Sequence, residues 1–164
     1  IQAAMERVPA VLEEAIDEFK RVFGRRPHGA LSAEHTEDAD TILVACNTMA
    51  RTARTVVAQR RKAGERIGLI QAKMFRPFLR AEFARAVGNA KRVGVLDRNH
   101  SPGSGGIFWT EIAAALRGRP DLILQDYLVG LGGGDVTPED IDDIIDDLHR
   151  RDAAAEPVWQ EAVP

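Results

Sequence analysis

The chain has 164 residues, 45% of them hydrophobic and 29% charged, with a formal net charge of −3. That suits one globular domain, and it leaves no global positive field to draw the chain onto nucleic acid or an anionic membrane. A single cysteine, Cys46, excludes an internal disulfide, and also an iron–sulfur cluster held by this chain alone, which takes four thiolates. No apolar run approaches the ~20 residues of a membrane span and nothing resembles a signal peptide, so the sequence reads as cytoplasmic. The start at Ile1 reads as a fragment boundary.

The chain opens on an amphipathic helix, MERVPAVLEEAIDEFKRVFGRR, whose Val8, Leu12, Ala15, Ile16, Phe19, Val22 and Phe23 recur near a 3.6-residue period before Gly24. ALSAEH follows as a weak strand, expected to be an antiparallel edge. TILVACN is a β-rich run, TMARTARTVVAQRRKAG a helix closed by Gly64, and RIGLIQA a strand. RPFLRAEFARAVGNA reads as a helix with Pro77 in its first turn. The same grammar continues with the strand RVGVLD, the helix GIFWTEIAAALRG and the strand LILQDYLVG. The last helix is marked by Thr137, Pro138 and Asp140 as a capping signal and by the stripe Ile141, Ile144, Ile145 and Leu148. Strand–helix alternation predicts an α/β fold: three layers, α/β/α, around a five-stranded, mostly parallel sheet with four parallel strands. We expect a single domain over residues 1–151 and a loosely docked tail over 152–164.

In such sheets function gathers at the carboxyl ends of the strands, which here carry CNTMAR, AKMFRPF and DRNHSPGSGG. The last loop fits neither G-x-G-x-x-G nor the P-loop pattern, which argues against a nucleotide site. Arg76, Asp97 and Arg98 are expected on one rim, with an Asp–Arg pair bridging adjacent loops. Gly103, Gly105 and Gly106 are expected to let the loop pass close to a neighbouring domain or subunit. Direct contact with a diphosphate or with coenzyme A is the alternative.

Cys46 reads as structural because no base is identifiable beside it, and His100 lacks a second metal ligand. Asp142, Asp143, Asp146 and Asp147 alternate with the apolar stripe as a solvated helix face does, rather than as a cation site. Arg51, Arg54, Arg60, Arg61 and Lys62 read as a solvated face, with a patch for an acidic partner or coenzyme A phosphates as the alternative. No catalytic residue and no metal ligand is assigned.

Three segments in order, IGLIQAKMFRPF, VGVLDRNHSPGSGGIFWTEIAAAL and LVGLGGGDVTPEDI, resemble the alpha-subunit region of the pyruvate:ferredoxin (2-oxoacid:acceptor) oxidoreductase family, the part similar to a transketolase C-terminal domain. The resemblance runs over residues 36–145, and the helix ending in EFKRVFGRR is similar too. It implies a thiamine diphosphate enzyme that decarboxylates pyruvate or a related 2-oxoacid. Electrons would pass through [4Fe-4S] clusters to ferredoxin or flavodoxin, with acyl-coenzyme A made, or consumed when the enzyme runs as a pyruvate synthase. It also implies that thiamine diphosphate and its magnesium lie between two other domains, so this region binds no cofactor alone and supports the assembly. Leu79, Gly134 and the pair Asn47–Thr48 depart from the usual family pattern. No Gly-Asp-Gly motif of the magnesium–diphosphate kind occurs in the chain. Two other roles stay open: a small-anion or coenzyme A-binding module at the strand rim, and an interaction domain for an acidic electron carrier.

Overall fold

The computed structural model describes residues 1–160. Five strands and four helices alternate after an N-terminal helix, and a short sixth strand closes the sheet. In chain order these are α1 (Gln2–Phe23), β1 (Leu31–Glu34), β2 (Thr41–Cys46), α2 (Asn47–Lys62), β3 (Ile67–Ala72) and α3 (Arg80–Val87). β4 (Arg92–Asp97), α4 (Ile107–Leu116), β5 (Ile123–Leu128), α5 (Pro138–Arg150) and β6 (Val158–Trp159) follow. The sheet order is β1-β3-β2-β4-β5-β6, with every pairing parallel except the antiparallel edge β1–β3.

Both faces of the central strands are covered, which is why β2 reads as an unbroken apolar run rather than an alternation. On one face α2 and α5 pack Val56, Ile141, Ile145 and Leu148 over Leu43 and Leu69. On the other, α3 and α4 pack Phe83, Val87 and Ile112 over Ile42, Val44 and Val95. The result is the expected three-layer arrangement.

The sheet has six strands rather than five, because the expected loose tail contributes β6. Buried Gln125 holds that tail: its Nε2 donates to Glu156 O at 3.1 Å, and its Oε1 accepts from Ala155 N at 2.9 Å. Val158 and Trp159 then pair with Tyr127 and Leu128. Two residues are too short a run to show a strand period. The predicted third helix also starts later. Pro77 lies outside it, after a cis Arg76–Pro77 bond, and the helix begins at Arg80. Of the stripe of α1 only Ile16 is buried; Val8, Leu12 and Phe19 are half-buried, and Ala15, Val22 and Phe23 are exposed.

The capping signal of α5 takes its expected form. Thr137 Oγ1 accepts from Asp140 N at 3.2 Å, and Asp140 Oδ2 accepts from Thr137 N at 2.8 Å. Thr137→Ala is therefore expected to cost about 1 kcal/mol, read as the shift in thermal unfolding, and an unchanged midpoint would show the box to be idle.

Candidate functional site

The chain leaves β2 for β3 on one side, then crosses to β4 on the other, so the order in which strands are added reverses between the parallel neighbours β2 and β4. Such a switch point leaves a crevice beyond the strand ends. Here it is a cavity of about 440 Å³ lined by Cys46, Asn47, Lys73, Phe75, Asn99 and Phe108, among others. Asn47 opens α2 in a left-handed conformation, φ 49°. Burial pushes the Cys46 thiol up, with Asp97 adding to the effect and Arg98 opposing it, which favours the protonated thiol over the thiolate.

Beside this cavity Asp97, the last residue of β4, is fully buried, and Asp126 on β5 is 1% exposed. Val95 pairs with Asp126, so Asp97, two residues further on, projects from the same face of the sheet. Asp97 Oδ1 accepts from Asn99 Nδ2 at 2.8 Å, and Oδ2 from Trp109 N at 2.9 Å. Asp126 Oδ2 accepts from Gly106 N at 2.7 Å. Two carboxylates thus satisfy N–H groups at the start of α4 that the helix itself leaves free. Burial raises Asp97 to about 6 against the opposing N–H of Trp109, with the Asp126 charge adding to the rise. Burial raises Asp126 as well, against Gly106 N–H and His100.

The glycines of this loop do different work. A β-carbon on Gly106 would overlap Asp97 Oδ2 and lie 2.8 Å from Asp126 Oδ1; one on Gly105, at φ +104°, would lie 2.9 Å from Asp126 Oδ2 and 3.3 Å from Pro157. The close approach that Gly105 and Gly106 permit here is to Asp97, Asp126 and Pro157 of their own chain. Gly103, at φ +79°, has nothing within 4 Å and sits in the exposed tip Pro102–Ser104.

The predicted rim charges diverge. Arg76 donates to Glu111 at 2.8 Å and lies over the Phe75 ring at 4.0 Å. Arg98 turns to Gly134 O at 2.8 Å. Among the described residues no Asp–Arg pair bridges these loops, because Asp97 turns to Asn99 and to the N-terminus of α4 instead.

Three of the five basic residues of α2 are held in internal pairs, while Arg51 and Lys62 stay exposed. Arg54 meets Glu34 at 2.6 Å, and Arg61 meets Asp38 at 2.9 Å. Arg60 spans Glu65, Asp142 and Asp146. On α5, Asp142 and Asp146 take Arg60 and Asp147 takes the Tyr127 hydroxyl and Arg151, while Asp143 is exposed. No group of three or more His, Cys, Asp or Glu side chains is placed to hold a metal among the described residues. Asp126 escaped the sequence reading, although an aspartate inside the apolar run LILQDYLVG was the signal for it.

The family model for pyruvate:ferredoxin oxidoreductase core domain II matches residues 39–141. The chain belongs to this family. Core domain II thus spans β2 to the start of α5, including the cavity and both buried carboxylates. Among curated proteins the chain is 40% identical over 145 residues to the pyruvate synthase subunit PorA of Methanothermobacter thermautotrophicus, covering 88% of this chain and 37% of that subunit. It is 35% identical over 153 residues to the ketoisovalerate oxidoreductase subunit VorA of Pyrococcus horikoshii, covering 92% of this chain and 38% of that subunit. The chain therefore spans under two fifths of those relatives. Among solved structures it is similar to the 2-oxoglutarate:ferredoxin oxidoreductase from Magnetococcus marinus, with 2-oxoglutarate, coenzyme A and succinyl-CoA bound (TM-score 0.56, 18% identity, 82% of this chain and 23% of that one). It is also similar to a split-gene transketolase (TM-score 0.55, 16% identity, 76% and 43%). At those identities the likeness establishes the fold, a transketolase-like α/β/α domain. No helix of the described residues is long and apolar enough to cross a membrane.

Proposed function

We propose that core domain II here is a supporting and assembly domain in the alpha subunit of a cytoplasmic, thiamine diphosphate-dependent 2-oxoacid:ferredoxin oxidoreductase, which makes or consumes acyl-coenzyme A. The observation that carries this reading is the family match over residues 39–141 on a rim where Arg76, Asp97 and Arg98 are bound to their own chain. The donor set does not fit the cofactors of the whole enzyme. One half-buried thiol cannot hold an iron–sulfur cluster, and no carboxylate group is gathered for magnesium among the described residues. Other domains and subunits are its partners, and ferredoxin or flavodoxin meets the complex elsewhere. The tip Pro102–Ser104 is the exposed part of the glycine-rich loop and the proposed contact.

Ser104→Trp should leave thermal unfolding of the chain within about 0.5 kcal/mol, as surface changes do. Placed in the full-length subunit, it should lower recovery of assembled oxidoreductase. Normal assembly and turnover would remove the tip from the interface. A second reading, coenzyme A or another small anion at the strand rim, is favoured by the cavity with exposed Lys73 at its edge. Saturable heat on titrating coenzyme A into the chain, lost in Lys73→Ala, would favour it. An electron-carrier patch on α2 is disfavoured, since the guanidinium groups of Arg54, Arg60 and Arg61 already face carboxylates.

A further inference from the structure

Asp97 and Asp126 project from adjacent strands on the same sheet face, and both close on the space a β-carbon on Gly106 would take, which would overlap Asp97 Oδ2 and lie 2.8 Å from Asp126 Oδ1. Three of their four oxygens accept hydrogen bonds, and the fourth, Asp126 Oδ1, is buried without a partner. Two carboxylates this close and this dry cannot both ionise cheaply, and an unpartnered buried carboxylate oxygen is costly in itself. One proton held by the pair would remove both penalties.

We propose that Asp97 and Asp126 are a proton-sharing carboxyl pair that latches the glycine-rich loop and the N-terminus of α4 to the sheet, and that losing the shared proton loosens this corner. The pair titrates as a unit, so its upper step belongs to neither residue alone. The surroundings supply no compensating cation from most sides. Cys46 faces Asp97 from β2, and burial favours its protonated thiol. The Arg98 guanidinium is turned to Gly134 O. α4 offers backbone N–H groups, and the tail offers Pro157 to the loop and Trp159 to the His100 ring at 4.7 Å. His100 is the ionisable group on the Asp126 side.

The sign follows from the raised value of Asp97. The folded state keeps a proton that the unfolded chain releases near 3.8, so stability is present in acid and is lost as pH rises through about 6. Glu34, lowered by its Arg54 hydrogen bond, acts in the opposite direction in acid, so the measurement must be differential.

Asp126→Asn supplies the difference. Its carbonyl can still accept from Gly106 N, while its amide replaces the shared proton beside Asp97. Thermal unfolding of both proteins from pH 4.5 to 8 should show the variant gaining on the wild type as pH rises, by about 5–10 °C across the range. The same trend should persist in a His100→Gln background. A wild-type to variant difference that is flat with pH overturns the proposal, and so does one that vanishes with His100. Should the variant not fold, carboxyl carbon NMR of the wild type decides. A coupled step near pH 6 shared by both side chains supports the latch, and two independent titrations in the ordinary carboxylate range refute it.

Discussion

Gly106→Ala lowers the thermal midpoint of the chain by about 6–12 °C, a loss of about 3 kcal/mol from one methyl group. Backbone conformation is not the cause, because Gly106 sits at φ −67°, where alanine is at ease. Relief of unfolded-chain entropy alone would make the change slightly stabilising. The cost comes from contact. The methyl would overlap Asp97 Oδ2, and that oxygen has nowhere to go while it accepts from Trp109 N inside the core. Gly103→Ala provides the contrast, since it meets nothing within 4 Å and carries only the strain of φ +79°, about 1–2 kcal/mol. Equal losses at the two positions would show that Gly106 is conserving conformation rather than space.

Leu148→Ala costs about 4 kcal/mol, in the upper part of the range for buried leucines, because the cavity it leaves has no neighbour able to fill it. Leu148 is fully buried on the apolar face of α5 and lies over Gly94 of β4. A β-carbon on Gly94 would stand 3.0 Å from Leu148 Cδ2, 3.2 Å from Tyr127 and 3.3 Å from Leu43. Gly94→Ala alone is therefore mildly destabilising, by about 1–3 kcal/mol of overpacking. Combined, the two changes should recover part of the loss, since the new methyl enters the space the leucine vacated. Equilibrium denaturation of the double variant checks this. Strict additivity would mean that Leu148 and Gly94 do not share that space.

These two sites also mark how far the sequence could be read. The stripe containing Leu148 and the Thr137 cap were legible because both are local patterns, three or four residues apart. So were the four central strands, whose β-rich runs reflect burial on both faces. β6 was not, because its two residues depend on Gln125 and on β5 for partners. The late start of α3 was missed because Pro77 suits a first helical turn as well as it suits the irregular segment it occupies. Charge partners were the least legible of all. Arg60 finds Asp142 at a sequence separation of 82 residues, and the pairing turns two apparently solvated faces into one joint between α2 and α5. Burial lowers the Arg60 guanidinium, yet the hydrogen bonds it donates to Asp142, Glu65 and Asp146 outweigh that and hold it above its usual value. Asp97 and the glycines read as one unit, but the nearness of Asp126 was not legible, because adjacent-strand register alone brings it there.

The central claim is that this domain supports a thiamine diphosphate enzyme without holding the cofactor itself. Isothermal titration of magnesium and thiamine diphosphate into the purified chain tests it most directly, with the full-length subunit, joined by its partner subunits, as the positive control. The account predicts heats no larger than dilution for the chain and saturable binding for the complex. Micromolar binding by the chain alone would contradict it.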